Sequence, residues 1–373
     1  MNDEGVSSVF LSQAKLEELL GLLGGAESVL ILTHDNPDPD AVSSASCLSY
    51  IISKKLGIRV RIGYGGIIGR AENRTMLRLL KIHTAKLTEA RIRKHKSIIL
   101  MDTQPLTGNN SLPRRVPVKG VIDHHPQRKS TRAPFLDIRP DHGALATMLT
   151  EYLFSSGLDI PTSLATALFY GIASETQDLG REVADADAAA YLALFPKTNK
   201  KLLSKIRQPT VPREQFAYIA RAIKNAATYK HSIATSLGRV DNPDIVAQVA
   251  EMMLTLRRMT WSMSTGRHKD TILVSLRTTR VKANAGRVAG RVIGRMGTAG
   301  GHDMVAGGQI TCSGMTEKQR DELEEVVVDA FFRVLGKPEG GEITPLVPPE
   351  KEKEKEEIAT SSNGTTKREE VNR

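Results

Sequence analysis

SVLILTHDNPDPDA, residues 28–41, joins two patterns that together set the fold class. Ser28–Leu32 is an apolar run without polar alternation, the pattern of a short strand buried on both faces. The segment that follows places His34, Asp38 and Asp40 within seven residues. Apolar residues then recur at helical spacing, which predicts a helix over Asp40–Leu56. A buried strand that runs into an acidic loop and then a helix is the repeating unit of an α/β domain, and ligands of such domains collect at the carboxyl ends of the strands.

The same alternation continues outward. Ile58–Ile62, Ser97–Met101 and Val118–Ile122 read as strands, and Asn73–Ile82, Gly143–Ser156 and Pro161–Ala173 as helices. The predicted fold is α/β, a mostly parallel sheet with flanking helices over residues 14–184. Two further strands end in chemistry-bearing residues: ILMDTQ in Asp102, and VIDHHPQ in Asp123, His124 and His125. The helix ending in GIASETQDLG adds Glu175 and Asp178.

Taken singly, these residues are ordinary. Asp38 or Asp40 before an apolar helix is a common N-cap, Asp102 a common turn residue, and a lone histidine is more often a satisfied core group than a ligand. Their joint placement at successive strand ends is not ordinary, because buried charges crowded at one edge are costly without a counter-cation. Carboxylates mixed with imidazoles suit Mn²⁺ first, with Mg²⁺ as the alternative. Four to six donors exceed what one ion that keeps a water needs; they fit two ions about 3.5–4 Å apart sharing a carboxylate, an arrangement that makes a nucleophile from water and stabilises phosphoryl displacement.

HDNPDPDA, the MDT strand end, IDHHP and GIASET, in this order, resemble the four motifs of the DHH phosphoesterase superfamily, over roughly Ser28 to Gly180. The resemblance implies that His34, Asp38, Asp40, Asp102, His124 and Glu175 ligate metal, with Asp102 bridging. It also implies that His125 faces the scissile phosphate and that Asp123 orients the histidines, giving His125, Asp102 and Asp123 as the catalytic set. Two departures stand out. Pro39 lies between the motif acids where glycine is frequent, and Glu175 stands where aspartate is usual, which makes Asp178 an alternative ligand.

Residues 185–228 read as a helical connector punctuated by Pro196, Pro209 and Pro212. A smaller α/β domain is expected over 229–336, with strands at Ser232–Leu237, Thr271–Leu276 and Met304–Ile310 and helices at Pro243–Leu256, Ala285–Arg295 and Thr316–Leu335. Between Thr255 and Gly300 there are ten Lys/Arg and one acid, Asp270. Arginines beside glycines that admit close backbone approach make a phosphate-binding surface, although a basic helix face by itself is usually only solvated. The stretch SLRTTRVKANAGRVAGRVIGRMGTAGGHDMVAGG resembles the DHH-associated C-terminal domain of nanoRNase and RecJ relatives. That resemblance implies substrate contacts from Arg277, Gly301 and His302, with Arg280 and Arg287 beside them.

Composition narrows partners. The net charge of +10 suits an anionic ligand. Aromatic residues are only 4% of the chain, with one tryptophan, Trp261, whereas extended single-strand tracks need stacking platforms; a short oligonucleotide or nucleoside bisphosphate is expected, not a long nucleic acid. No run of about 18 apolar residues is present, so no membrane span is expected. MNDEGVSSVF lacks a basic leader, and Cys47 and Cys312 read as buried thiols of a reducing, cytoplasmic setting. Residues 337–373 are polar and rich in Gly, Pro and charge, and read as a disordered tail.

The function expected from these features is hydrolysis of nanoRNA, dinucleotides or 3'-phosphoadenosine 5'-phosphate by a two-metal-activated water. The resemblance places the chain in the nanoRNase, oligoribonuclease and bisphosphate-nucleotide phosphatase branch and suggests a homodimer. The competing expectations are a cyclic or linear dinucleotide phosphodiesterase, a manganese inorganic pyrophosphatase, and, from another class, a non-catalytic nucleotide or RNA-binding module.

Overall fold

In a computed structural model, which describes residues 3–181, 183–301 and 303–348, the chain divides into two compact units at Thr210/Val211. The first unit runs α1 (Asp3–Leu23), β1 (Ser28–Leu32), α2 (Pro39–Leu56), β2 (Arg59–Tyr64), α3 (Ala71–Leu80), β3 (Thr84–Lys86), α4 (Glu89–Ile92), β4 (Ile98–Met101), β5 (Gly120–Asp123), β6 (Phe135–Ile138), α5 (Leu145–Ser155), α6 (Thr162–Glu175), α7 (Asp185–Leu194) and α8 (Lys200–Arg207). Its sheet is six-stranded, in the order β3-β2-β1-β4-β5-β6, with every pair parallel. The order reverses between β1 and β4. Loops leaving those two strands diverge there, and this opens the crevice in which α/β sheets bind ligands.

The unbroken apolar strands follow from burial on both faces. Val29, Ile31, Ile99, Met101 and Ile122 face the core under the helices, while Leu30, Leu32, Ile98, Leu100 and Val121 face a second core with Leu87 and Ile92. Pro39 begins α2 in the first-turn position where its missing N–H costs nothing and its fixed φ suits the helix. This accounts for proline where glycine was the frequent residue.

The second unit runs α9 (Arg213–Asn225), β7 (Ala227–Tyr229), β8 (Ser232–Arg239), α10 (Asp244–Leu254), β9 (Trp261–His268), β10 (Thr271–Thr278), α11 (Ala285–Ile293), β11 (Thr298–Gly301), β12 (Val305–Thr311), α12 (Glu317–Val334) and β13 (Thr344–Pro345). Its seven-stranded sheet has the order β11-β12-β10-β9-β8-β7-β13; β8 and β9 are parallel and the other pairs antiparallel. One face packs on Ala285, Ala289, Val292, Val327 and Phe331, and the other on Ala222, Ile245, Val246 and Val249.

Three boundaries differ from those expected. The helical stretch 185–228 is not a body of its own: Ala190, Leu194, Leu203 and Ile206 are buried in the first core, and α9 belongs to the second unit. The stretch from 337 is ordered as far as it is described. Within it, β13 pairs with β7, the Leu346 amide donates to the Ala226 carbonyl at 2.8 Å, and Leu346 packs on the α9–α10 core. ITPLV supplies apolar surface that the overall composition of the tail hides. Residues 349–373 of the expected tail lie outside the described residues. Among the described residues, no helix is long and apolar enough to cross a membrane.

A buried charge network ties α1, β6 and α5 together. Arg139 donates to both oxygens of Asp137, at 2.8 and 2.7 Å, to Glu151 at 2.7 Å and to Ser12 at 3.0 Å; Tyr152 donates to Asp137 at 2.7 Å. Removing one member of such a network strands the others in low dielectric, at about 3–5 kcal/mol. Arg139→Ala is expected to lower first-unit stability by about that amount in urea unfolding. A change within about 0.5 kcal/mol, the size of ordinary surface substitutions, would remove the network from the stability account.

Candidate functional site

The three strand ends at the switch point converge on Asp102. This residue follows β4 with φ +58, in the left-handed region that aspartate tolerates better than most side chains. Its Oδ2 lies 3.5 Å from His34 Nε2, and its Oδ1 lies 3.4 Å from His124 Nε2 and 3.5 Å from His125 Nδ1. Asp102 is 5% exposed, and Oδ1 has no hydrogen-bond partner among the described residues. Burial alone would raise its carboxyl, but the adjacent imidazoles of His124 and His34 hold it well below the usual carboxylate range.

Asp38 caps a helix and also faces the cluster. Its Oδ1 caps α2 by accepting from the Ala41 amide at 2.9 Å, and its Oδ2 lies 3.8 Å from His34 Nε2. Asp40 is buried in the first turn of α2. Both its oxygens accept from α5 amides, Leu145 at 2.8 Å and Ala146 at 2.7 Å, so it caps a helix whose own N-cap, Ala144, has no side-chain bond to give. Asp40 Oδ2 lies 3.8 Å from His124 Nε2. The His124 Nδ1–H donates to the His142 carbonyl at 3.2 Å, which leaves Nε2 as the ring atom directed at the carboxylates.

Glu175, at the end of α6, is half-buried beside this cluster. Burial, with the Asp38 and Asp102 charges, pushes its carboxyl up to about 7. Asp178 is not a substitute ligand: its Oδ1 is taken by Arg207 and by Tyr191 Oη, the latter at 3.2 Å. His125 is half-exposed. Its Nδ1–H donates to Asp123 Oδ1 at 2.9 Å, so Nε2 is the free ring atom, and that bond raises the imidazole above its ordinary value.

Two groups have the spacing of metal ligands, His34–Asp38–Asp102 and Asp102–His124–His125, with the ligand atoms of each within 4.8 Å of one another. Asp102 is common to both. A divalent cation fits this set on three grounds. The donors are carboxylates and imidazoles, a buried Asp102 oxygen lacks a partner, and burial together with the neighbouring Asp38 and Asp102 charges drives Glu175 toward protonation. Several supporting residues carried no signal in the sequence. Gln104 bridges the loops after β4 and β5. Asp187 accepts from the Gly143 and Ala184 amides at 2.8 Å each and from the Thr147 hydroxyl, fixing the entry to α5. His142 and Glu151 back His124, with His142 Nε2 3.4 Å from Glu151 Oε1.

In the second unit, Arg277 ends β10 and is held in place: it donates to Ser275 Oγ and the Leu276 carbonyl at 2.9 Å each, and to Glu251 at 3.3 and 3.2 Å. Gly301, on the edge strand β11, has φ +152, and a Cβ at Gly286 would come within 2.4 Å of its carbonyl oxygen, so the start of α11 presses on the glycine strand. Arg280 and Arg287 are exposed. His302 lies outside the described residues.

Protonation of the metal-free site has a definite sign. Glu175, near 7 in the fold against 4.5 ordinarily, destabilises the fold as pH rises from the lower value to the higher. Against burial, which alone would lower them, the adjacent Asp102 carboxylate holds His34 and His124 well above 6.5, so their contribution is present below that value and is lost as pH rises through the folded value. Asp102, held low, acts only below its ordinary 3.8. Chelator-treated protein is therefore expected to lose thermal stability between about pH 5 and 8, and Mn²⁺ to reverse most of that loss. A melting temperature that rises across this window without metal would count against the assigned environment.

Residues 28–172 match the DHH family, N-terminal domain, and residues 230–331 match the DHHA1 domain. The chain is 32% identical over 317 residues to an uncharacterized protein of Methanocaldococcus jannaschii, which covers 83% of this chain and 64% of that protein. It is 26% identical over 150 residues to a probable manganese-dependent inorganic pyrophosphatase of Streptococcus pyogenes serotype M5, covering 40% of this chain and 48% of that protein. The chain thus spans less than two thirds of the length of either relative. An exopolyphosphatase-related protein from Bacteroides fragilis shares the fold, with TM-score 0.67 at 16% identity over 86% of this chain and 98% of that one. The chain thus carries a DHH domain followed by a DHHA1 domain, and the acids and histidines of the first are gathered around Asp102.

Proposed function

We propose that this chain is a metal-dependent phosphoesterase acting on very short oligonucleotides or a 3',5'-bisphosphorylated nucleoside. The observation that carries the activity is the buried Asp102 carboxylate, shared by two ligand groups and left with an unpartnered oxygen. Bound divalent ions at such a site polarise a phosphoryl oxygen and make water nucleophilic at neutral pH. Mn²⁺ suits the mixed donor set, and the pyrophosphatase relative is described as manganese-dependent.

The chain's own residues do the rest. His34, Asp38, Asp102, Asp40, His124 and Glu175 hold the cation positions. The His142 carbonyl fixes the ring of His124 by taking its Nδ1–H, and α5 amides fix both oxygens of Asp40. His125 offers Nε2 toward solvent, where it can donate to a substrate phosphate when protonated; its bond to Asp123 favours that charged form.

Substrate class rests on the second unit. Arg280, Lys282, Arg287, Arg291 and Arg295 are exposed along the β10–α11 segment, beside the glycine-rich edge strand. Phosphate oxygens suit that surface, and the low aromatic content favours few nucleotides over many. A pyrophosphatase is the second reading, favoured by the 26% identity over 150 residues; the DHHA1 match over 230–331 speaks for a nucleotide.

The test is a panel with Mn²⁺ or Mg²⁺: a 5'-labelled dinucleotide, 3'-phosphoadenosine 5'-phosphate, a cyclic dinucleotide and pyrophosphate. Release of mononucleotide or phosphate from either of the first two supports the proposal. Turnover of pyrophosphate alone, or binding of nucleotides without hydrolysis, replaces it. Asp102→Ala is expected to reduce turnover by at least about 10³-fold, as loss of a group common to both ligand sets should. Substantial residual activity in that variant would refute the shared carboxylate. Arg277→Ala is expected mainly to raise KM, by about tenfold or more, since a phosphate contact outside the reacting centre contributes uniform binding; an unchanged KM on every active substrate would release Arg277 from that role.

A further inference from the structure

Gln104 is a buried residue two positions beyond Asp102, and both ends of its side-chain amide are committed. Its Nε2 donates to Asp123 Oδ2 at 2.8 Å and to the Pro126 carbonyl at 3.2 Å. Its Oε1 accepts from the Arg128 amide at 2.9 Å and from Thr131 Oγ1 at 2.6 Å. Its own carbonyl accepts from Thr107 Oγ1 at 2.9 Å and Asn110 Nδ2 at 2.9 Å. The amide can sit only one way round. The Arg128 N–H is a donor and requires the oxygen, while the buried Asp123 carboxylate is an acceptor and requires the NH₂.

Asp123 is 1% exposed. Its Oδ1 takes the His125 backbone amide at 3.2 Å and the His125 Nδ1–H at 2.9 Å, and Oδ2 has Gln104. The same Nδ1 lies 3.5 Å from Asp102 Oδ1. His125 therefore has two available orientations: with Nδ1 on Asp123 it presents Nε2 outward, and with Nδ1 turned to Asp102 it joins the cation cluster. Without a donor on Oδ2, the Asp123 carboxylate loses the bond that sets its plane, and the preference between the two orientations goes with it.

We propose that Gln104 is a positioning residue: by clamping Asp123 it keeps His125 out of the metal ligand set and turned toward substrate. This rests on the phosphoesterase reading for its effect on rate, though not for its effect on the ring. Only an amide meets both demands, because a glutamate would set a carboxylate oxygen against Asp123 while still accepting from Arg128 and Thr131.

The experiment is a double-mutant cycle in the full chain with Mn²⁺, using Gln104→Ala, His125→Ala and the pair, on whichever panel substrate turns over. Gln104→Ala is expected to lower kcat by about 10–100-fold with KM little changed, the usual size for a residue supporting a site from behind. Added to His125→Ala, it is expected to cost less than about threefold more, because two residues acting through one group are non-additive. An equal loss in both backgrounds overturns the proposal, and so does unchanged kcat in the single variant. Gln104→Glu keeps the Arg128 and Thr131 contacts and serves if the alanine variant does not fold; the same outcomes apply.

If no panel substrate turns over, the phosphoesterase reading fails while the ring orientation remains measurable. Long-range ¹⁵N NMR of His125 in metal-free protein, at a pH where the ring is neutral, is expected to show Nδ1–H in the native protein and a mixture of tautomers in Gln104→Glu. The same single tautomer in both overturns the proposal.

Discussion

The Asp102 carboxylate governs the first unit because three strand-end loops have to bring their polar groups within a few ångströms of it. Adjacent strands lie about 4.8 Å apart, so β1, β4 and β5 alone would set the loop starts at neighbouring positions along one edge. The left-handed backbone at Asp102 then turns its side chain into the space between the other two loops. The loops are stapled to one another by polar side chains and backbone. Asp35 accepts from Ser111 Oγ at 2.7 Å and its amide donates to the Asn109 carbonyl at 2.7 Å, joining the loop after β1 to that after β4. Gln104 joins the loop after β4 to that after β5. The carboxylate is thus surrounded by imidazoles on loops that are joined by hydrogen bonds of the chain itself.

Asp40 shows how fold and site come to share a residue. Two amides at the start of α5 fix its oxygens, while Asp187 fixes the preceding turn. Helix N-termini favour carboxylates through unsatisfied N–H groups and the aligned peptide dipoles. Here that ordinary stabilising contact also aims a carboxylate at His124. The arrangement couples α5 to the centre, and the Arg139 network couples the other side of α5 to α1 and β6. Glu175 is reached by a different route. It ends α6, and the following residues Gln177, Asp178 and Leu179 all have positive φ; Arg207 and Tyr191 hold Asp178. A glutamate one methylene longer than aspartate needs its backbone set back from the ions, and the Asp178 anchor ties the turn behind it to α7 and α8.

Much of this was legible in the chain because the relevant signals are local. SVLIL, SIILM and VKGVI are apolar throughout, as strands buried on both faces must be, and the acids and histidines stand directly after them. β9 was not legible for the opposite reason: WSMSTGRH carries Ser262, Ser264 and Thr265 on a central strand, and the polarity of the two serines is answered from α10, where the Val246 and Ala250 carbonyls accept from Ser264 and Ser262. Sequence pattern cannot show a partner supplied by tertiary structure. The same holds for Gln104 and Asp187, single polar residues whose importance lies wholly in which amides and carboxylates the fold brings to them. The short strands β3 and β6 lack a run long enough to register, and β13 exists only because β7 offers it an edge.

In the second unit, charge is segregated rather than merely abundant. Arg267, Arg320, Arg333 and Lys337 are paired with acids of α12 or Asp270, so the positive charge there is largely neutralised. No ion pair with a described residue engages Arg280, Lys282, Arg287, Arg291 or Arg295, and these five follow one another from the end of β10 to just past α11. Unneutralised charge of one sign raises the local concentration of anions. Arg277 sits differently, only 12% exposed and held by Glu251, whose own side chain is 41% exposed. A phosphate that takes the guanidinium displaces Glu251 into water, where a carboxylate is well solvated, so the exchange strands no buried charge. The exposed cations can attract many anions. In the substrate role proposed for it, Arg277 takes only an anion able to outcompete a carboxylate, and a planar fork suits the doubly charged, three-oxygen end of a terminal phosphate better than the singly charged bridge within a longer strand.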